Sequence, residues 1–522
     1  MIALALLLAL QDDWKQELKD IRIPMRDGKG LAADVYLPPK RGRFPAVLIQ
    51  TPYNKKGLGA PISSGRGEGG EVGRGAVSDT LGLLDRENYA YIVVDWRGFY
   101  ASKDAMDGVQ RGKWRRGQDG FDCVEWIASQ EWSDGKVGTW GGSALGKQQF
   151  DTAAENPPHL VCAVPLIASM GQRYEAYYEG GVYLEAHVKT LDALGYGVSK
   201  LALDNPLPDL PVWRFAQSTT YRPDKILVPC LVITGWWDHY PGQIIETFED
   251  IVKRGGDKAR EHSKFLIGPW DHVSVGVADQ GGRKFEGAAK ASAQAAKAFF
   301  DRWLRGVDNG WAKAPRLRYW VVNEEGWREA ESWSAIPRST RKLLLGADGK
   351  IVEADPKPGA REYEYDPKAP SPTLGGANLP PVKHGPTDQS TLGDRKDVLA
   401  YSGGAVKIRG VVELELEVEP DRASFDMTAR LCDVGSDGKP WLLADAVVRT
   451  RDAKPREKVR VTLRFPPTAA TVRELRVFVS SSNWPRYERN PHTGAHHWDA
   501  AAALPLRIRV CGGELRVPEP KE

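Results

Sequence analysis

Three residues set far apart in the chain, Ser143, Asp238 and His272, have the types and local settings that nucleophilic acyl transfer requires. A serine hydroxyl attacks weakly until a base takes its proton, and a histidine base works best when a carboxylate fixes its tautomer and balances its charge. Residues 136–150 read as a strand, then Gly141-Gly142-Ser143-Ala144-Leu145-Gly146, then a helix containing Ala, Gln and Phe. A serine at such a turn takes a strained backbone conformation, and glycines close by let strand and helix approach. Its hydroxyl then stands above the sheet beside the helix's N-terminal amides. The second small residue falls at Gly146 rather than at the tighter G-x-S-x-G spacing, so read alone the segment is also a Gly-rich turn with a serine N-cap.

Asp238 ends the run 231–237 just before a helical stretch, and His272 follows the strand-like run 265–267 through Gly268-Pro269-Trp270-Asp271. Both are therefore expected at C-terminal ends of strands, where sites of open α/β sheets collect. His239 competes with His272, and Asp271 with Asp238, but each adjoins its would-be partner and would have to turn back on it. A second oxyanion donor is expected after an earlier strand, and the run 46–50 leads into Thr51-Pro52-Tyr53-Asn54. The Tyr53 phenol with the Ala144 amide is the expected oxyanion hole.

Other patterns carry less. Gly65-Arg66-Gly67-Glu68-Gly69-Gly70 satisfies G-x-G-x-x-G, but no strand feeds it and no apolar helix follows, so it reads as a surface loop rather than a nucleotide cradle. His496-His497 lacks a third ligand at a sensible spacing, so no metal is expected, and the triad chemistry needs no cofactor. Glu175, Glu179 and Glu185 could recognise an amino group, although a solvated helix face explains them as well.

The elements that must position these residues are legible as runs at 46–50, 91–95, 137–140, 161–167, 230–234 and 265–267, each short, apolar and followed by a turn-prone residue. Helical stretches separate them: residues 243–254 place Ile244, Ile245, Phe248, Ile251 and Val252 at helical spacing, and 288–304 repeats the theme. This alternation is that of a mostly parallel sheet covered on both faces. The core is expected to comprise 13–168 and 226–350. Residues 169–225 hold no strand-like run and read as an inserted helical cap with a Pro-rich exit at Pro206, Pro208 and Pro211. Beyond Tyr363 the composition shifts to Pro and Gly and then to period-two alternation, as in Val412, Leu414, Leu416 and Val418, in Val459, Val461, Leu463 and Phe465, and in Leu506, Ile508 and Val510. A linker and a C-terminal antiparallel β-sandwich are expected over 351–522.

The whole chain of 522 residues is too long for one core. Its 72 Lys and Arg nearly balance 69 Asp and Glu, with no long basic stripe, so nucleic acid is not an expected partner. Five scattered cysteines give neither zinc spacing nor a dense disulfide framework. The only long apolar run, 1–10, is too short to span a bilayer. Residues 1–12 read as a signal segment, favouring a secreted or periplasmic location over a cytoplasmic one, although neither a basic n-region nor a clear small-x-small cleavage site accompanies it.

Taken together, these residues resemble the cocaine esterase and Xaa-Pro dipeptidyl peptidase group of serine hydrolases, the CocE/NonD family, over most of the chain. The resemblance is carried by Pro52-Tyr53, Asp95-Trp96-Arg97-Gly98 with Ala101-Ser102, Trp132-Ser133-Asp134-Gly135-Lys136-Val137-Gly138, the serine turn, Gly235-Trp236-Trp237-Asp238 and Gly268-Pro269-Trp270-Asp271-His272. Tyr365-Asp366-Pro367, Gly385-Pro386-Thr387-Asp388-Gln389 and Asn483-Trp484-Pro485-Arg486-Tyr487 extend it. It implies an α/β-hydrolase core with an inserted helical cap and a C-terminal jelly-roll, galactose-binding-like domain. It also implies Ser143 as nucleophile, His272 as base, Asp238 as its orienter and Tyr53 as the oxyanion tyrosine. The residue after the nucleophile, commonly tyrosine in the family, is Ala144 here, and the cap is short. The expected substrates are small-molecule esters, α-amino or β-lactam acyl compounds, or short peptides with proline in second place. A homo-oligomer is left open. A reading of another class is a carbohydrate- or surface-binding protein with an idle hydrolase fold.

Overall fold

The computed structural model describes residues 15–58, 85–110, 114–324 and 326–521. The proposed signal segment 1–12 lies outside the described residues, apart from which the glycine motif 65–70 does too.

The core strands are β1 (Glu17–Pro24), β2 (Gly30–Tyr36), β3 (Phe44–Thr51), β4 (Ala90–Asp95), β5 (Ser133–Gly142), β6 (Leu160–Leu166), β7 (Leu231–Trp237), β8 (Lys264–Asp271), β9 (Leu317–Trp320) and β10 (Trp327–Ala330). They form one 10-stranded sheet in the order β1-β2-β4-β3-β5-β6-β7-β8-β9-β10. Pairing is parallel from β4 through β9 and antiparallel at both edges. Parallel strands need both faces covered, and Val47, Ile49, Ile92, Val94, Val232 and Ile233 are accordingly buried. The helices Arg116–Ala128, Ala144–Ala153, Pro241–Arg254 and Ala291–Leu304 pack against these strands. In Pro241–Arg254 the buried residues include Ile244, Ile245, Phe248 and Ile251, the stripe read from the sequence.

The hairpin β1–β2 precedes the first expected run. Most of β1 is exposed, so it presents no apolar pattern to detect. The segment 169–225 differs from a purely helical cap. Besides the helices Glu185–Ala193, Ser199–Asp204 and Pro211–Thr220, it contains a short hairpin of Tyr178–Glu179 with Val182–Tyr183. Gly180, at φ 54°, turns this hairpin against the C-terminal unit, where an added Cβ would stand 1.9 Å from the Val447 carbonyl oxygen. Two-residue strands are too short to carry a periodic signal.

The C-terminal unit has a six-stranded sheet built around Leu506–Pro520 and Glu413–Pro420, and a four-stranded sheet built around Phe425–Val434 and Leu475–Ser480. Leu414, Leu416, Ile508, Met427, Leu431 and Val477 join one buried cluster, the inward half of the alternation. The boundary expected at 350 falls late. The strand Arg338–Leu345 pairs along its whole length with Leu506–Pro520, so it belongs to the C-terminal sheet. The Pro- and Gly-rich stretch that marked the boundary follows this strand instead of preceding it. All five cysteines are free thiols. Among the described residues no helix is long and apolar enough to cross a membrane, and no cluster of three His, Cys, Asp or Glu could hold a metal ion.

Candidate active site

β5 runs directly into Ser143, whose φ of 58° and ψ of −120° put a non-glycine residue in strained backbone before the helix Ala144–Ala153. Such strain costs of order 1–3 kcal/mol and persists only where the surroundings enforce it. Here the Ser143 amide donates to the Leu166 carbonyl at 3.0 Å, and the Ser143 carbonyl accepts from Lys147 at 3.0 Å. The flanking glycines make room for the turn. A Cβ on Gly141 would come within 2.5 Å of Leu145 Cβ, and one on Gly146 within 2.6 Å of Ala168 Cβ. The looser spacing thus reflects geometry: Leu145 occupies the space that Gly141 leaves, and Gly146 clears the end of β6.

Asp238 follows β7 and His272 follows β8, adjacent strands of the sheet. His272 Nε2 lies 2.9 Å from Ser143 Oγ, and its Nδ1 lies 2.6 Å from Asp238 Oδ1. Asp238 is 1% exposed and His272 6%. The carboxylate is held from two further sides: Thr234 Oγ1 donates to Oδ2 at 2.8 Å, and the His239 amide donates to Oδ1 at 2.7 Å. A carboxylate can only accept, so Nδ1 carries the proton and Nε2 presents its lone pair to the serine hydroxyl.

Neither rival residue takes these places. The His239 ring packs against His272 at a 44° tilt with centroids 4.5 Å apart, and its Nδ1 faces the Ala377 carbonyl at 2.9 Å. Asp271 accepts the amides of Val273 and Ser274 and pairs with His384 Nδ1 at 2.6 Å, so it builds the loop that carries His272.

Tyr53 follows β3 with its amide donating to Thr51 Oγ1 at 2.9 Å. Ser143 and the Ala144 amide act on its phenol from the side of the nucleophile. Tyr196, from the cap, donates to the Tyr53 oxygen at 3.2 Å, which leaves the Tyr53 proton to point elsewhere. Burial pushes the phenol's pKa up against these hydrogen bonds, so it stays a neutral donor.

The family described as X-Pro dipeptidyl-peptidase (S15 family) matches residues 27–209 and 206–274, and its X-Pro dipeptidyl-peptidase C-terminal non-catalytic domain matches 309–508. The cocaine esterase of Rhodococcus sp. (strain MB1 Bresler) is 28% identical, over 91% of this chain and 92% of that protein. The chain belongs to the CocE/NonD family of serine hydrolases. Two solved structures share the fold. An alpha-amino acid ester hydrolase superposes with TM-score 0.79 at 21% identity, covering 97% of each chain. A CocE/NonD family hydrolase from Staphylococcus aureus superposes with TM-score 0.66 at 19% identity, covering 96% of this chain and 93% of its own. Membership carries serine hydrolase activity on small-molecule substrates, against the reading as an idle scaffold.

In this CocE/NonD hydrolase several site-building residues escape a reading of the sequence. Lys55 is fully buried beneath Tyr53. Its amide donates to Asp95 Oδ1 at 2.7 Å and its ammonium reaches Asp34 at 2.6 Å and Asp20 at 2.5 Å. Burial alone would drive Lys55 toward neutrality, but the bonds to Asp20 and Asp34 outweigh it and hold the ammonium above its usual value. The clamp fixes the turn that presents Tyr53. The signal was Asp34, a carboxylate inside the apolar strand β2, which demands a cation. Lys55→Met leaves buried Asp34 with only the Asp20 amide at 2.9 Å and the more distant Lys19 ammonium at 3.9 Å, and unfolding in urea is expected to show a loss of about 3 kcal/mol. A loss below about 1 kcal/mol would mean that the pair is not held as a buried ion pair.

Arg97, from the Asp95-Trp96-Arg97-Gly98 landmark, forks onto Asp119 at 2.7 and 2.9 Å and reaches Asp27 at 2.8 Å, tying the loop after β4 to the helix Arg116–Ala128. The cap glutamates do not share a solvated helix face. Glu179 sits on the hairpin and accepts from Arg486 at 3.0 Å, Glu185 accepts from Trp484 Nε1 at 3.2 Å, and Glu175 is exposed. Glu185 opens the helix Glu185–Ala193, whereas Glu175 and Glu179 lie before the turn at Gly180 and Gly181, so no single helix face carries all three.

Proposed function

We propose that the chain cleaves small-molecule esters through an acyl-enzyme on Ser143, with His272 as base and Asp238 as its orienter. Ser143 Oγ attacks the carbonyl carbon while His272 Nε2 takes the hydroxyl proton. The tetrahedral oxygen gathers charge between the Tyr53 phenol and the Ala144 amide. Collapse breaks the carbonyl–oxygen bond of the leaving alcohol, which takes the proton back from Nε2. Water then repeats the sequence on the acyl-serine, and its proton passes through His272 to Ser143. The unbroken chain of contacts from Asp238 through His272 to Ser143, at 2.6 and 2.9 Å, carries this reading.

Neutral surroundings favour esters over substrates with a free ammonium. His239 packs against His272, Tyr240 against His239 and Tyr196 against Tyr53, and Glu179 is engaged by Arg486. A fluorophosphonate probe is expected to label the wild type and not Ser143→Ala, and p-nitrophenyl butanoate is expected to exceed Ala-Pro-p-nitroanilide in kcat/KM. Undiminished labelling of Ser143→Ala rejects the nucleophile, and faster turnover of the anilide rejects the ester preference.

A further inference from the structure

Three imidazoles stand in a row that ends on the base. His187, on the cap helix Glu185–Ala193, packs against His239 at a tilt with centroids 4.6 Å apart, and His239 packs likewise against His272 at 4.5 Å. Their partners fix the tautomers of the outer two. The Ala377 carbonyl can only accept, so His239 carries its proton on Nδ1. Tyr240 donates its hydroxyl hydrogen to the Ala176 carbonyl at 2.9 Å, so its oxygen must accept from His187 Nε2 at 2.8 Å. Burial, reinforced by the neighbouring His272 and Arg486, pushes His187 down to about 3 and His239 well below its usual value, so both rings stay neutral.

Each ring is therefore left with one lone pair, on His187 Nδ1 and on His239 Nε2. Both atoms are buried, and neither has a hydrogen-bond partner. Both rings line a small cavity together with Leu184, Tyr240, Asn378 and Arg486. One neighbour keeps a hydrogen to spare: Arg486 Nε is buried without a hydrogen-bond partner. Asn378 Nδ2 donates to the Gly375 and Lys383 carbonyls, and the other Arg486 nitrogens are engaged by Ala377 and Glu179. The volume open to the centre of a water-sized sphere is ≈ 10 Å³, room for about one small polar group.

A cavity that shows two acceptors and one free N–H is complementary to a donor that can also accept, as a hydroxyl or a carboxamide can. A cationic one is disfavoured, because Arg486 stands in the wall and His272 acquires its charge during turnover one ring away. We propose that His187 and His239 form a second recognition point beside the nucleophile, taking a substrate that carries a neutral hydrogen-bond donor, a hydroxyl or a carboxamide, near its scissile carbonyl. The proposal rests on Ser143 being the nucleophile and narrows the substrate class that it serves. A substrate without the donor leaves two buried acceptors unpaired, the situation in which enzymes discriminate most strongly.

The test compares methyl butanoate with methyl 3-hydroxybutanoate, methyl 4-amino-4-oxobutanoate and methyl 3-aminobutanoate, followed by acid release at constant pH. Each kcat/KM is divided by the ester's rate in hydroxide and by the fraction of protein that a fluorophosphonate labels. The wild type is expected to favour the hydroxyl or the carboxamide over the plain ester by about tenfold or more, and to favour both over the ammonium. The better of the two neutral esters identifies the donor. His187→Leu and His187→Phe, the second keeping an aromatic ring beside His239, are expected to lower the donor-to-plain ratio about threefold or more. A wild-type ratio near one, a ratio that both variants preserve, or a preference for the ammonium would each overturn the proposal. Those outcomes leave labelling of Ser143 intact, whereas an unlabelled and inert protein overturns the hydrolase reading and this one with it.

Discussion

His272→Ala is expected to lower kcat on p-nitrophenyl butanoate by about 10⁶-fold, with far less change in KM. The hydroxyl of Ser143 has one base in reach, Nε2 at 2.9 Å, and without it the serine must give its proton to water. His239 cannot substitute, although it packs against the His272 ring. Its Nδ1–H is committed to the Ala377 carbonyl, and a neutral imidazole held well below its usual pKa is a poor proton acceptor. Adding Ser143→Ala to the same chain should cost little more, because nucleophile and base act as one unit. A residual rate above that of water should remain in every such variant, supplied by Tyr53 and the Ala144 amide. A loss smaller than tenfold in the single variant would remove His272 from the chemistry.

The sequence shows the ends of strands well and what holds their loops poorly. Ser143, Asp238 and His272 were legible because a parallel sheet gathers its strand ends along one edge, so three turn residues after β5, β7 and β8 had to converge. Tyr53 was legible for the same reason at β3. Lys55 was not, because a lysine four residues past a strand looks like any solvated turn until β2 brings Asp34 beneath it. The two imidazoles in line with His272 come from the cap and from the turn after β7, and only the fold brings them together. The hairpin at Gly180 escaped for another cause: its strands are shorter than any periodicity, and its register is set by the C-terminal unit. Local pattern thus specified the scaffold, whereas contacts between distant segments specify the pocket.

Those distant contacts also bear on the carboxylate. Asp238→Ala is expected to reduce kcat by roughly 10⁴-fold, because the imidazole then loses both its orientation and its counter-charge. Asp238→Asn should fall clearly short of that loss. An asparagine at this position often turns its NH₂ toward the imidazole and inverts the tautomer, which is why the substitution can be as damaging as removal. Here the backbone decides the orientation. Oδ1, the atom that faces His272, also accepts the His239 amide at 2.7 Å, and a backbone N–H cannot be paired with an NH₂. The amide oxygen is therefore held at the Oδ1 position, and the NH₂ turns to Thr234 Oγ1, which can accept as well as donate. His272 keeps its proton on Nδ1 and loses only the charge opposite it. Measured on one ester, the asparagine variant is expected to retain at least about tenfold more kcat than the alanine variant. Equal losses in the two would show that the His239 amide does not fix the carboxylate's orientation, and a loss below tenfold in Asp238→Ala would take Asp238 out of the triad.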